Sequence, residues 1–432
     1  HTMSVLGDFI RSLMLLLALA PVGAAHARGT ASGLGVPQYG GAFAGVGESG
    51  VHGLPFNPAS AAVPGLELGV DVSGFLSTYW SRLQGEEAEG GTSARGVPFL
   101  AAAASIPKVD WMGFGVTFGA PFARGAGEVS STSPQRFHGL SGGIWVLSLD
   151  ATAAIEPAPG IQLGGGVAFQ NLTGDSRYAL DTGAVLTELF GEDMEPLIGE
   201  PWLEGEVDIT TVEGRGKGGI FGARVTAVED WTLAASYRTL TRFPMTADLD
   251  LLPSNEFTLL LESGISGEMV MPPELHGMIA RDMGRYRLAA EGQWIGWSHA
   301  ASTSFELVNP ELGSRDAVME AVLVGYGLTD PSDLGRTQMD RNVGYVDTYG
   351  GGLRLDLDAG KTAWMVRSFY SSRATPDAWV HPGNLDFASL DNRVGLTLRT
   401  DIGLDVGLSL GWYHMPDLVN LNSKASFLAD PE

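Results

Sequence analysis

Two properties of the apolar residues limit this chain most: they alternate with polar or small residues, and they seldom run on. In Asp401–Met415 one face carries Leu404, Val406, Leu408, Leu410 and Trp412, and the other carries Asp405, Gly407, Ser409, Gly411 and Tyr413. In Leu353–Asp358 three leucines alternate with Arg354, Asp356 and Asp358. In Phe114–Phe122, Phe114, Val116, Phe118, Ala120 and Phe122 alternate with Gly115, Thr117, Gly119 and Pro121. A period of two is that of a β-strand with two different faces. Beyond the N-terminus no apolar run reaches the ~18 residues that suggest a spanning helix. A membrane barrel passes that test unseen, because only one side of each strand meets lipid.

Thirteen such segments are predicted: 66–80, 97–107, 111–122, 143–157, 161–172, 217–229, 231–243, 273–283, 286–300, 345–357, 361–372, 388–400 and 402–415. Most exceed the usual length of soluble strands and suit the ~9–11 tilted residues that cross a bilayer. Six connections are short: Pro107–Asp110, Glu156–Gly160, Glu229–Asp230, Met283–Arg285, Asp358–Gly360 and Thr400–Asp401. Six long ones, 81–96, 123–142, 173–216, 244–272, 301–344 and 373–387, alternate with them strictly. This asymmetry predicts an all-β, antiparallel, up-and-down transmembrane barrel with short periplasmic turns and long extracellular loops. Trp111, Trp231 and Trp364 follow short turns, and Trp80, Trp297 and Trp412 lie toward the other strand ends, as two interfacial rings would.

The rest of the composition narrows the function classes. A formal charge of −24 argues against nucleic acid, and the absence of cysteine removes disulfides and thiolate metal sites. The histidines are scattered with no metal-binding spacing, and no cofactor is expected. Arg11, the apolar run Leu13–Ala20 and the A-x-A site Ala25-His26-Ala27 read as a secretory signal over residues 1–27.

Between that signal and the strands lies Gly33–Val63, small, Gly-rich and barely charged, which ends in Phe56-Asn57-Pro58-Ala59. This resembles the NPA signature of the FadL/TodX family of outer-membrane hydrophobic-substrate transporters. The order of Gly-rich segment, strand series and Met271–Ser298 (MPPELHGMIARDMGRYRLAAEGQWIGWS) follows that family over nearly the whole mature chain. The resemblance implies a plug, or hatch, over residues 28–65 and a barrel over 66–432. It implies fourteen strands, so with thirteen counted the closing strand is expected beyond Pro416–Glu432 in a chain truncated at its C-terminus. It further implies a monomer in the outer membrane of a Gram-negative bacterium, among lipid and lipopolysaccharide. The activity implied is passive transport of hydrophobic small molecules, long-chain fatty acids first and aromatic hydrocarbons as the alternative.

Candidate residues follow. Asn57, Pro58 and Ala59 are assigned to the plug or gate. Two long loops carry helical patterns with apolar faces, Val185, Leu186, Leu189 and Phe190 in one, Val318, Met319, Val322 and Leu323 in the other. These are the expected ligand-binding groove, since the family gathers substrate on such loops. Arg354, Arg367, Arg393 and Arg399 are candidate partners for a fatty-acid carboxylate, and each is equally placed to pair with a lumenal Asp. Gly45-Val46-Gly47-Glu48-Ser49-Gly50 fits a dinucleotide motif but lacks the preceding strand. Gly139–Gly143 fits a nucleophile elbow around Ser141, with His138 nearby, but a β-rich run follows where a helix is needed. An outer-membrane lipase and a structural or adhesion barrel are therefore the readings of another class, and no enzymatic activity is expected.

Overall fold

The computed structural model describes residues 44–81, 89–106, 109–126, 141–181, 204–226, 228–253, 259–300, 302–314, 338–342, 345–375 and 388–414. The first six strands are long: β1 (Leu66–Ser81), β2 (Glu89–Ile106), β3 (Val109–Ala126), β4 (Ser141–Ala158), β5 (Ile161–Asp181) and β6 (Glu204–Val225). Then come β7 (Trp231–Arg238), β8 (Thr241–Pro253), β9 (Leu259–Met271), β10 (Glu274–Met283), β11 (Tyr286–Ile295) and β12 (Ser302–Ser314). The series ends with β13 (Gln338–Asn342), β14 (Thr348–Asp358), β15 (Thr362–Ser371), β16 (Ser389–Arg399) and β17 (Asp405–His414).

The registers join these seventeen elements into thirteen antiparallel staves. Strand β7 pairs with β10 while β8 pairs with β9. Likewise β11 pairs with β14 while β12 pairs with β13. Thus β7–β8, β9–β10, β11–β12 and β13–β14 are single staves, each interrupted once. The thirteen expected segments are all present, in the expected up-and-down order. The closing strand expected after Pro416 and the signal over 1–27 fall outside the described residues.

Sidedness confirms a barrel built for lipid. Phe114, Val116 and Phe118 of β3 point outward and are exposed, while Gly113, Gly115, Thr117 and Gly119 are buried inside. In β7, Trp231, Leu233 and Tyr237 face out and Thr232, Ala234 and Ser236 face in. So large a continuous apolar exterior has no place in water. No helix among the described residues is long and apolar enough to cross a membrane. Trp111, Trp231 and Trp364 stand exposed beside the short turns, and Trp412 stands exposed at the far end, as the interfacial reading requires.

Trp297 does not. It is only 4% exposed and packs edge-on against Tyr345, ring centroids 5.7 Å apart. The chain leaves the β11 ladder at Gly296 and turns through a short 3₁₀ segment, Trp297–Ala300, which carries the indole inward. The side chain of Trp80 lies outside what is described.

Loop lengths also differ from expectation. Strand β5 runs on to Asp181 and β6 begins at Glu204, inside the stretch 173–216 read as loop. Strands β8, β9, β12 and β13 likewise occupy parts of 244–272 and 301–344. The reason is the solvent. Above the bilayer a strand needs no apolar outward face, so the alternation that marks a lipid-crossing segment changes although the hydrogen-bond ladder continues.

The interruptions share one level. Counted from the short turns, β7, β10, β11 and β14 are 8, 10, 10 and 11 residues long. That is the length needed to cross the hydrocarbon. At this level polarity reverses: in β8, Phe243, Met245, Ala247 and Leu249 are buried inside while Arg242, Thr246 and Asp248 face out. On β6 the outward side changes from Phe221 to Lys217, Arg215 and Glu213. Pro272 and Pro273, which have no N–H to donate, account for the break between β9 and β10. The membrane span therefore ends where the breaks lie. A charge placed mid-span, Ile279→Arg or Val366→Arg, should lower unfolding free energy in lipid vesicles by about 2–4 kcal/mol, while the same change at the outward Thr246 should cost under about 1 kcal/mol. Equal costs at both levels would rule out the bilayer boundary drawn here.

Candidate functional site

Residues 44–65 lie inside the barrel, at the end with the short turns. They form a four-residue helix, α1 (Gly50–Gly53), and a 3₁₀ turn, Pro58–Ala61. Asn57 caps the 3₁₀ turn. Its Oδ1 accepts from Ala59 N at 3.0 Å, and Pro58 fills the first position, where no N–H is required. Its Nδ2 donates to the carbonyl of Val46 at 2.9 Å and to that of Ala223 on β6 at 3.0 Å. Asn57 is fully buried. One amide thus closes the turn, ties it to the start of the segment and fixes it to the wall.

The wall receives this motif on glycines. A Cβ on Gly222 of β6 would lie 1.9 Å from Asn57 Oδ1, and one on Gly164 of β5 would lie 2.3 Å from Ala59 N. A Cβ on Gly113 of β3 would meet the Ala61 carbonyl at 2.0 Å. Alternate glycines facing the lumen from three strands therefore leave room for Asn57, Pro58, Ala59 and Ala61. Small side chains complete the fit: Leu54, Ala61, Ala62 and Val63 pack on Phe99, Ala101, Ala103, Ala120 and Ala154.

Polar contacts hold the segment around its rim. Gln162 donates to Ala62 O at 3.2 Å, Arg224 Nε to Gly47 O at 2.8 Å, and Val51 N to Glu67 Oε2 at 3.1 Å. Glu48 accepts from Arg287 Nη1 at 2.9 and 3.0 Å and lies 3.2 Å from Arg354 Nη1. Burial pushes the Glu48 carboxyl up, but Arg354 and then Arg287 outweigh it and hold the group below its ordinary range.

Beside the segment a cavity of about 40 Å³ is bounded by Val46, Phe56, Glu291, Arg367, Phe369 and Arg393. This is far below the ~150 Å³ that accommodates a benzene, so the cavity as it stands holds no organic ligand of that size. Toward the outside the lumen turns apolar. Val146, Leu172, Val207, Val212, Phe243, Met245 and Ile295 belong to one buried cluster with Trp297 and Ala300. The reversal of polarity in β6 and β8 was the signal for it in the sequence.

The wall itself has an unpaired seam. Among the described residues, strands β2 and β3 pair from Ile106↔Val109 up to Leu100↔Phe118, and no further. Above this point β2 continues against β1 to Glu89, and β3 continues against β4 to Ala126. Pro98 and Pro121 stand on either side of the seam, and each removes a donor.

The structure brings together Asn57, Pro58 and Ala59, and it places Arg354, Arg367 and Arg393 in the lumen, each against a carboxylate. Arg354 pairs with Asp356 at 2.8 Å, Arg367 with Glu291 at 2.7 Å and Arg393 with Asp391 at 3.6 Å. Arg399 is instead exposed at a turn, 2.8 Å from Asp358. The apolar groove residues Val185, Leu186, Leu189, Phe190, Val318, Met319, Val322 and Leu323 lie outside the described residues, as does His138. Ser141 opens β4, and the glycine-rich stretch 45–50 is part of the lumenal segment rather than a strand-to-helix turn.

Two outcomes test this seat. Asn57→Ala leaves the buried Val46 carbonyl without this donor, at about 1–3 kcal/mol, and removes the bond to the part-buried Ala223 carbonyl. Gly222→Ala forces the motif off β6. Both should make residues 44–65 cleavable by protease while the barrel keeps its heat-modifiable mobility on gels. Acid acts through Glu48: its attraction to the arginines is complete above pH 4.5, its ordinary value, and fades only as the pH falls through the lowered one. Protease resistance should therefore be constant from neutrality to about pH 5 and decline only in stronger acid.

No family model matches the chain, and no curated protein matches it by sequence. Solved structures do match. A FadL homologue of Pseudomonas aeruginosa aligns with a TM-score of 0.65 and 15% identity, over 91% of this chain and 90% of that one. The toluene transporter TodX of Pseudomonas putida aligns with a TM-score of 0.60 and 16% identity, over 91% and 99%. The monoaromatic hydrocarbon channel CymD aligns at 0.59 and 14%, over 90% and 93%. The chain thus has the fold of the FadL/TodX barrels, the family that its Asn57-Pro58-Ala59 signature resembles.

Proposed function

We propose that this protein passively carries hydrophobic small molecules across the outer membrane of a Gram-negative bacterium, with residues 28–65 as the plug. The observation that carries the reading is the reversal of lumen polarity. Outside the bilayer the interior is apolar and the exterior charged; within the bilayer the exterior is apolar and the interior polar. An apolar solute gains ~25 cal/mol for each Å² it buries. The outer half of the lumen offers that gain to a solute arriving from water, and the polar, plugged inner half does not retain it.

In this reading the loop faces Val185, Leu186, Leu189 and Phe190 and Val318, Met319, Val322 and Leu323 collect the ligand. The cluster around Leu172, Phe243 and Ile295 receives it next. Asn57, Pro58 and Ala59 form the gate that shifts to let it reach the cavity beside Phe56. The parting of β2 and β3 beyond Leu100 and Phe118, beside the packed face of Leu54 and Ala61, supports a sideways exit on that side of the plug. Long-chain fatty acids are the first substrate class and aromatic hydrocarbons the second; the protein acts as a monomer and catalyses no reaction. The structural neighbours named for toluene and for monoaromatic hydrocarbons support the broader class.

Cells that express the protein should take up labelled long-chain fatty acid or toluene faster than cells without it. Asn57→Ala combined with Pro58→Ala, at equal surface level, should change that rate several-fold. Uptake indifferent to the protein for both substrates would sink the reading; uptake of toluene alone would select the second class.

A further inference from the structure

The lumen wall carries a row of arginines. Arg354 on β14 lies directly across from Arg367 on β15, and Arg367 directly across from Arg393 on β16. Like charges opposite one another weaken a sheet, so the row costs stability unless carboxylates offset it. Arg287 on β11 adds a fourth cation, through Glu48. The described wall carboxylates that touch these four arginines are Asp356, Glu291 and Asp391, which are largely buried, and Asp282, which is half exposed at a turn. Glu48 adds a carboxylate that touches two of these arginines, Arg287 at 2.9 Å and Arg354 at 3.2 Å. Glu48 belongs to the lumenal segment.

The surroundings suit an amphipathic anion. Val46, Phe56 and Phe369 line the adjoining cavity together with Arg367 and Arg393. Glu48 also sits where the backbone can swing: Gly47 precedes it, and Gly50, at φ +61°, follows Ser49. We infer that Glu48 occupies a carboxylate site of the wall, formed by Arg287 and Arg354, and that a hydrophobic carboxylate displaces it there and so releases the plug. This rests on the transport reading and deepens it. The substrate's own head group frees the gate, while an uncharged hydrocarbon of the same length lacks that grip. No bond is made or broken; one carboxylate replaces another, and Glu48 turns toward the water at the short-turn end.

The test compares laurate with dodecanol, equal chains that differ in charge, binding to the full chain in detergent by calorimetry. Glu48→Gln removes the internal competitor and should bind laurate about tenfold more tightly, the ratio for one charge-assisted hydrogen bond gained. Dodecanol affinity should not change. Arg354→Gln should weaken laurate by a similar factor and leave dodecanol alone. If Glu48→Gln does not fold, Glu48→Asp keeps the charge but retracts it by one methylene, and its laurate affinity should rise in the same direction. Acetate, which has the head group without the chain, should raise the melting temperature of Glu48→Ala but not that of the wild type, and chloride should do neither.

Unchanged laurate affinity in Glu48→Gln, or an equal gain for dodecanol, overturns the inference and leaves transport standing. Failure of both laurate and dodecanol to bind every variant overturns the transport reading, and with it the ligand named here.

Discussion

Hydrocarbon offers a peptide group no partner, and the rest of this structure depends on that fact. Each stave must pair along the whole length that lipid touches. The ladders from β7 to β14 do so for 8–11 residues above the short turns and then break together. Once water can reach the backbone, the chain is free to bend, to place Pro272 and Pro273 in succession and to fold Trp297 inward. The breaks are tied across rather than left open: Asp347 accepts from Trp294 Nε1 and from Ser298 N, both at 3.0 Å. Beyond Leu100 and Phe118 the described parts of β2 and β3 separate, beside the packed segment that includes Leu54 and Ala61.

The same boundary organises the interior. Below it the lumen is polar and filled by residues 44–65; above it the lumen is apolar. Two kinds of force seat the filling segment. Steric fit is local and short-ranged, since the glycines of β3, β5 and β6 admit the backbone of residues 57–61 and no Cβ. Ionic attraction through Glu48 is longer-ranged and exchangeable, because another carboxylate satisfies the same arginines. A seat made only of close packing would hold permanently. A seat made only of ion pairs would leave the lumen open to water. Their combination holds Asn57 by close packing and hydrogen bonds, and Glu48, nine residues before it, by ion pairs.

Much of this was legible beforehand, for a physical reason. Lipid imposes a period of two on whatever crosses it, so Trp231, Leu233 and Tyr237 announce their stave without any knowledge of the neighbours. Turn chemistry is equally local: Gly160, Gly284, Gly360 and Gly403 take positive φ in the short turns, where the alternation stops. The Asn57-Pro58-Ala59 turn was legible too, since an Asn cap followed by Pro is a local device. The outer halves of β5, β6 and β8 carry no such signal, because their outward residues, such as Asp175, Arg215 and Asp248, no longer meet lipid. The distance of Trp297 along its strand suits an interfacial ring, and no local pattern announces the bend at Gly296 that carries it inward.

The sequence by itself determined the stave count, the alternation of short and long connections and the existence of a small, glycine-rich filling segment. Each of these follows from the contact of a residue with its solvent or with its immediate neighbours. The assembled fold alone sets Gly222, Gly164 and Gly113 into one seat, Arg354, Arg367 and Arg393 into one row, and Glu48 between Arg287 and Arg354. Those relations join residues as far apart as Asn57 and Ala223. They exist because strand-to-strand register sets the height of every strand relative to the next, and no local preference encodes that height.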